Sequence, residues 1–447
     1  MDHIVAKFGG TSLADASQIR KVVEIVRANP ERRIIVVSAP GKRNPMDEKV
    51  TDLLYSWYRN ANDVGVSRRC FEKASARYLE IANELGLDID LQRELDDIWR
   101  ACERTRALCD DYLPSRGEYL SALIVAAALK YEFADAANLI CFKDSGAVDL
   151  EESSKRLEWI HSTKKNRKAG WVIPGFYGRT PWGGIKTFSR GGSDISGAIV
   201  AFGTEASLYE NWTDVSGILT AHPHIVKDPE PIRTITYAEL RELSYMGASV
   251  MHEEAVFPAM KVGIPIRVMN TNRPEDMGTT VTREIDPHSR PAGSIAGIAG
   301  RKGFSVIYVE KTMMNSEIGF VRKACLALEQ QGVSFEHMPS GIDSLSIIVD
   351  ERQLKEKEGA VLDGIRRECR PDVIRIEHGM AMICTVGQAM ARTPGVAAKL
   401  FRALADASIS VRMINQGSSE ISIIVGLADK DMEESIRAIY KAFLPQH

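Results

Sequence analysis

Residues 3–26 read HIVAKFGGTSLADASQIRKVVEIV. The apolar run His3 to Phe8 predicts a short buried strand, Gly9 and Gly10 force an immediate turn, and Ile19, Val22, Val23 and Val26 recur at helical spacing. Strand, glycine turn and helix form the opening unit of an α/β protein. Outward from it, Arg33 to Ser38 reads as a second strand that stops at Ala39-Pro40-Gly41, and Val50, Leu53, Leu54 and Trp57 mark another amphipathic helix. Residues 66–110 carry long helical patterns broken at Gly86 and predict a helical hairpin. After Pro114 the polar residues Ser115 to Glu118 read as a turn that opens a helix with Leu120, Leu123, Ile124, Ala127 and Ala128 on one stripe. Further strands are expected at Asn138 to Phe142, Trp171 to Phe176, Ser207 to Trp212 and Ile264 to Met269, with helices at Ile195 to Phe202 and Tyr237 to Met246. This alternation predicts a largely parallel sheet covered on both faces, with functional residues in loops at the strands' carboxyl ends.

The polar stretch Asp286 to Gly293 marks the main boundary, and beyond it the chain repeats itself. Ser334 to Val349 (SFEHMPSGIDSLSIIV) aligns without gaps to Ser410 to Val425 (SVRMINQGSSEISIIV), at an offset of 76 residues. Each copy reads as strand, glycine turn and strand, preceded by a strand and helix and followed by a helix. That βαββα unit predicts two small ferredoxin-like sandwiches acting as a regulatory pair. The expected domains are 1–285, 294–372 and 373–447.

The 447 residues carry 57 Lys and Arg against 60 Asp and Glu, a net charge of −3, which argues against nucleic acid as a partner. The longest apolar stretch, Ala122 to Leu129, is too short to cross a bilayer, and Met1-Asp2-His3 lacks a secretory start. A soluble protein of the cytoplasm, without a membrane partner, is expected. The seven cysteines form no C-x-x-C pair and are read as reduced thiols, and Met313-Met314 as packing.

Two glycine turns bear chemistry. Lys7-Phe8-Gly9-Gly10 sets a cation beside backbone amides that can face an anion, and no P-loop run occurs. Arg190-Gly191-Gly192-Ser193-Asp194 opens a helix and offers carboxylate recognition, close backbone approach and an acidic group, although Asp194 could serve simply as an N-cap. Glu118 and Asn211-Trp212-Thr213-Asp214 complete the set of polar segments at expected strand and helix ends.

Taken in order, VAKFGGTSLAD, SRGEYLS, TFSRGGSD, NWTDVSG and ELSYMGASVMHEEAV, followed by SFEHMPSGIDS and NQGSSE, resemble the aspartate kinases of the amino-acid kinase family over nearly the whole chain. The resemblance implies a three-layer αβα sandwich plus two ACT domains. It implies ATP-dependent phosphorylation of the L-aspartate side chain, the entry step to lysine, threonine and methionine synthesis, with Mg²⁺ arriving on the ATP and no metal site in the chain itself. Carried over by position, Lys7 and Asp194 are catalytic. ATP lies on Lys7, Phe8, Gly9, Gly10, Thr213, Asp214, Leu219, His224, Ser249 and Val250. Aspartate lies on Ser38, Thr51, Glu118, Arg190, Gly191, Gly192 and Ser193. The polar turns of the repeat, with Ser334, Glu336, Ser340 and Asp343 in the first copy and Asn415 and Gln416 in the second, could hold an amino acid's ammonium and carboxylate or simply solvate two sheet edges; the resemblance implies an end-product effector, lysine or threonine, and a homodimer or homotetramer joined by the ACT pair.

The chain departs from the family's pattern at two cations. Thr220-Ala221-His222-Pro223-His224 stands where the family carries Thr-Ala-Asp-Pro-Arg, and Ser249 stands where it carries a lysine. Weaker ATP binding or a shifted pH profile is the expectation, because His224 is charged only when protonated. His222 and His224 also raise the weaker reading of a metal pair. The competing functions are another amino-acid kinase, acting on glutamate or an acylated relative, and an amino-acid sensor without turnover.

Overall fold

The computed structural model describes residues 3–60, 62–104, 109–163, 170–189, 191–248, 251, 253–286, 290–391 and 393–444. The order of elements is β1 (Ile4–Phe8), α1 (Ala16–Ala28), β2 (Arg32–Val37), α2 (Val50–Arg59), α3 (Val64–Glu84), α4 (Leu91–Arg104), α5 (Cys109–Leu129), β3 (Glu132–Phe133), α6 (Leu150–Thr163), β4 (Trp171–Pro174), β5 (Tyr177–Arg179) and β6 (Ile185–Thr187). Then come α7 (Gly192–Gly203), β7 (Leu208–Thr213), β8 (Thr234–Thr236), α8 (Tyr237–Tyr245), α9 (Glu253–Val262), β9 (Ile266–Asn270) and β10 (Thr279–Thr282). The chain ends with β11 (Gly297–Glu310), α10 (Phe320–Glu329), β12 (Ser344–Asp350), α11 (Glu351–Leu354), α12 (Glu358–Cys369), β13 (Val373–Val386), α13 (Val396–Asp406), β14 (Met413–Asn415), β15 (Ser422–Ala428) and α14 (Met432–Phe443).

Two compact units result. The first comprises Met1–Ile218, Pro231–Arg241 and Ser249–Ile285; the second comprises Leu219–Glu230, Glu242–Ala248 and Asp286–His447. The first is built on an eight-stranded sheet in the order β3-β4-β2-β1-β7-β9-β10-β8, parallel except where β10 meets β9. Its central strands are apolar on both faces, as helices on both sides require: Ile34, Ile35, Val36 and Val37 are all fully buried. The strand order brings the carboxyl ends of β2, β1 and β7 side by side, and Lys7 is the register partner of Asn211.

Two local expectations for this unit are corrected. Residues Ser115 to Glu118 are not a turn but lie inside α5, which continues through Pro114. Leu113, Ser115, Arg116 and Glu118 are all buried there, and this packing overrides the local turn signal. Asn138 to Phe142 is not a sheet strand. Asp135 instead caps a single 3-10 turn, Ala136–Asn138, and Cys141 and Phe142 form only isolated bridges. A small hairpin of β5 and β6 also forms, each strand only three residues long and so without a periodic signal in the sequence.

The second unit holds one five-stranded antiparallel sheet, β12-β11-β13-β15-β14, rather than two. The repeats share its long strands. Ile295 and Ile298 pack into one core with Ala381, Ile383, Leu400, Val425 and Ile436, whereas Ile307 and Val309 join Ala324, Ile347 and Ile365 in another. Ile374 and Ile376, at the start of β13, pack against that other core. Each strand changes cores at a glycine with positive φ, Gly303 at +86° and Gly379 at +72°, beside shifts of register in β11. Of the predicted strand pairs, β14 forms, but Ser334 to Met338 makes only isolated bridges at its end. Pro339, which follows, has no amide to give a ladder.

Met314 is buried in that core but Met313 is 64% exposed, so only one of the pair packs as expected. The six cysteines described at the side chain are free, and Cys109 lies outside that set. Burial pushes the Cys369 thiol up to about 11, which keeps it in the unreactive protonated form. No helix among the described residues is long and apolar enough to cross a membrane.

Candidate functional site

At the carboxyl edge of the first sheet, Lys7 ends β1 almost wholly buried. Its ammonium pairs with the Asp194 carboxylate and donates to Asn211 Oδ1 at 3.2 Å, while Asn211 Nδ2 donates to Asp194 Oδ1 at 3.2 Å. Asp194 is not the N-cap of α7. That position is Gly191, in the left-handed region at φ +60°, so Gly192 and Ser193 form the first turn and Asp194 is free to turn to the lysine. Tyr209, from β7, donates to the Asp194 carbonyl at 3.0 Å and fixes the helix start against the sheet. The triangle pairs one ammonium with one carboxylate, and Asn211, bonded to both, fixes the lysine at the carboxyl edge of the sheet.

Beside it the loop after β1 crosses the loop after β2. The Gly9 amide donates to the Trp212 carbonyl at 2.9 Å, Ser38 N–H to the Phe8 carbonyl at 3.1 Å, and Gly41 N–H to the Gly10 carbonyl at 2.8 Å. A Cβ on Gly41 would stand 2.7 Å from the Gly10 carbonyl carbon, so the two glycines permit a backbone contact that other residues forbid. Phe8 and Trp212 stack at 5.9 Å beneath the turn.

Glu118 reaches the same loop from α5. Its Oε1 accepts from the Ala39 amide at 3.1 Å and its buried Oε2 has no partner among the described residues. Burial raises its pKa to about 8, against the lowering pull of that amide and of Arg116. Gly117, one residue earlier, allows this approach: a Cβ there would be 2.9 Å from the Ala39 side chain. Tyr78 of α3 donates to the Gly117 carbonyl at 2.7 Å.

Other expected residues divide by place. Ser38 follows β2, Thr51 lies in the first turn of α2, and Gly191 to Ser193 open α7, all in the first unit. Thr213 ends β7 and donates to Asp214 at 3.2 Å. Arg190, Ser249 and Val250 lie outside the described residues. Leu219 and His224 belong to the second unit; His224 is exposed with its ring 5.3 Å from that of His222. No group of three or more metal-ligating side chains occurs among the described residues.

In the second unit, Asn415 Nδ2 and His337 Nδ1 meet at 2.8 Å, so the turns of the two repeats touch. Glu336 receives Arg301 at 3.2 Å and the Tyr245 hydroxyl, and Asp343 accepts from the Met313 amide at 2.8 Å. Ser334 donates its amide to Gln353 at 2.9 Å, and Ser340 and Gln416 are exposed. Absent from the expected set is Asn211, which joins Lys7 to Asp194; an amide in the interior of a buried strand was its signal in the sequence.

Comparison with known proteins follows this geometry. Residues 2–270 match the Amino acid kinase family and residues 383–443 an ACT domain. The chain is 38% identical to Aspartokinase 3 of Bacillus subtilis (strain 168), over 98% of each. It superposes on the aspartate kinase of Clostridium acetobutylicum with a TM-score of 0.86 and 46% identity, over 99% of each chain. The E. coli aspartokinase III bound to aspartate and ADP in its R-state shares the fold, with a TM-score of 0.81, 22% identity and coverage of 99% of this chain and 100% of that one.

Proposed function

Because the chain belongs to the aspartokinases of the amino acid kinase family, we propose that the Lys7 triangle receives the phosphates of ATP and that Glu118 receives the amino group of L-aspartate. The enzyme is a phosphotransferase that converts ATP and aspartate into 4-phospho-L-aspartate and ADP. The observation that carries the assignment of sites is the meeting of Lys7, Asp194 and Asn211 with the Gly10 and Gly41 crossing, one amide away from Glu118.

The reaction asks little covalent chemistry of the protein. The aspartate side-chain carboxylate is ionised at pH 7 and attacks the γ-phosphorus directly; the bond to the β,γ-bridging oxygen breaks and ADP leaves with that electron pair. Positioning two anions and cancelling their repulsion supplies the rate. Lys7 and the Gly10 turn meet the phosphate charge, the Gly9 amide being held by the Trp212 carbonyl, while Asn211 and Asp194 hold the ammonium in place. Glu118, Ser38, Thr51 and the Gly191 to Ser193 turn hold the amino acid. The assignments of Arg190 to the α-carboxylate, and of Phe8, Thr213, Asp214, Leu219, His224, Ser249 and Val250 to the nucleotide, rest on the resemblance alone.

Mg²⁺ would enter with the nucleotide and would supply further neutralisation of the phosphate oxygens. Asp194 is the carboxylate at this site that would face it. Residues 1–285 form the catalytic domain, and 294–372 and 373–447 the regulatory pair, which share strands β11 and β13. An amino-acid end product, lysine or threonine, binds around Ser334, Glu336, Ser340, Asp343, Asn415 and Gln416. Exposed Ile318, Val321 and Ile342 support assembly into a dimer or tetramer through the first repeat. The compartment that fits this chemistry is the cytoplasm.

The test is trapping of the acyl phosphate as its hydroxamate with Mg²⁺ and ATP, comparing aspartate with glutamate, each alone and with lysine or threonine. Aspartate-specific turnover suppressed by either effector supports both halves. Binding of amino acids without turnover identifies a sensor instead.

A further inference from the structure

The helical insertion contributes a buried arginine to the loops that meet at the site. Arg77, on α3, has a side chain only 7% exposed. Its Nη1 donates to the carbonyls of Ala14 at 3.1 Å and Gly41 at 3.4 Å, and its Nη2 donates to Asp47 Oδ2 at 2.6 Å. These three acceptors come from two loops, Ala14 from the one after β1 and Gly41 and Asp47 from the one after β2. Ala14 closes the single turn Gly10–Leu13 that follows the glycine pair. Gly41 lies at the crossing, and Asp47 sits in the stretch that leads into α2 and Thr51. Asp47 is held in turn by Arg43, whose amide donates at 2.9 Å and whose Nε donates at 3.1 Å.

Where Gly10 and Gly41 meet, backbone contact rather than apolar side-chain packing joins the two loops. A guanidinium does so well: its planar fork reaches several acceptors in fixed directions, and buried carbonyls that lose it are left unpaired. We propose that Arg77 is a positioning residue for phosphoryl transfer, holding the phosphate-side loop after β1 against the loop after β2 that leads to the aspartate side. The inference rests on the reading of the Lys7 site given above. It assigns the insertion a kinetic role in addition to packing.

The test is steady-state kinetics of the full-length chain carrying R77A, R77K or D47N, with thermal unfolding measured in parallel and K7A assayed beside them. A misplaced loop lowers kcat in R77A by about tenfold or more, with R77K recovering part of the loss because its ammonium reaches fewer of the three acceptors. A folded R77A whose kcat and both KM values stay within about twofold of the parent, with only the melting temperature lowered, overturns the proposal. If R77A does not fold, unchanged kinetics in R77K and D47N overturn it equally. Normal turnover by K7A would instead remove the Lys7 reading beneath it, whereas an inactive K7A beside unaffected Arg77 variants sinks the Arg77 inference alone.

Discussion

The amide of Ala39 donates to one oxygen of the buried Glu118 carboxylate at 3.1 Å, and the other oxygen has no partner among the described residues. A carboxyl group left half satisfied in this way stays protonated until a cation arrives, which is why burial raises it to about 8.

Aspartate binding should therefore expel a proton. Below pH 8 the free enzyme holds Glu118 mostly neutral, so kcat/KM for aspartate rises by up to about tenfold per pH unit from pH 6 and levels near 8. Without substrate the sign is opposite. A folded-state pKa above the ordinary 4.5 stabilises the fold fully below that value, and the contribution is lost as pH climbs through 8. Glu118→Gln should flatten both profiles; calorimetry in buffers of different ionisation heat measures the proton, and a profile equally steep in the variant would count against the assignment.

Lys7→Ala should lower kcat by about 100-fold or more, the scale for removing a charge-stabilising group. Asn211→Leu should be milder in binding but still slow, because Lys7 and Asp194 each lose a buried partner, at a cost of about 1–3 kcal/mol in stability. Turnover near that of the parent in Lys7→Ala would remove this residue from the mechanism.

Gly41→Ala adds a methyl group 2.7 Å from the Gly10 carbonyl carbon, so the crossing must open. The KM for ATP should rise together with a fall in the melting temperature. Gly86→Ala is the reference: nothing lies within 4 Å of its Cβ, and although its φ of +64° costs some stability, kinetics should be unaffected.

Removing residues 294–447 should abolish effector inhibition, yet the cut is not clean. Ala221 and Val226 are built into the core of the second unit, and a truncated chain would expose them to solvent. Light scattering should show the truncated protein associating. Asn415→Ala is the gentler probe: losing its contact with His337, it should raise the effector concentration for half-inhibition by about tenfold, the coupling of a typical allosteric site. Unchanged inhibition would place the effector elsewhere.

Much of this architecture is legible from local patterns. The strand, glycine turn and helix at residues 3–26 depend on periodicity and on two residues without side chains, signals that survive in one dimension. The repeat at an offset of 76 residues is legible for the same reason. The Ser115 to Glu118 segment differs, because Pro, Ser and Gly favour turns locally, while burial against Ala39 and Tyr78 holds them in a helix.

The sequence by itself determined the class of fold, the regulatory repeat and the polar residues with which the site is built. Tertiary structure alone decided how they are arranged. It set Asn211 against both Lys7 and Asp194, left one oxygen of Glu118 without a partner among the described residues, and placed Arg77 across the two loops that follow β1 and β2. It also threaded β11 and β13 through both regulatory cores. The physical reason is that propensity and periodicity act between neighbours along the chain, whereas hydrogen bonding and desolvation act between groups that only folding brings together.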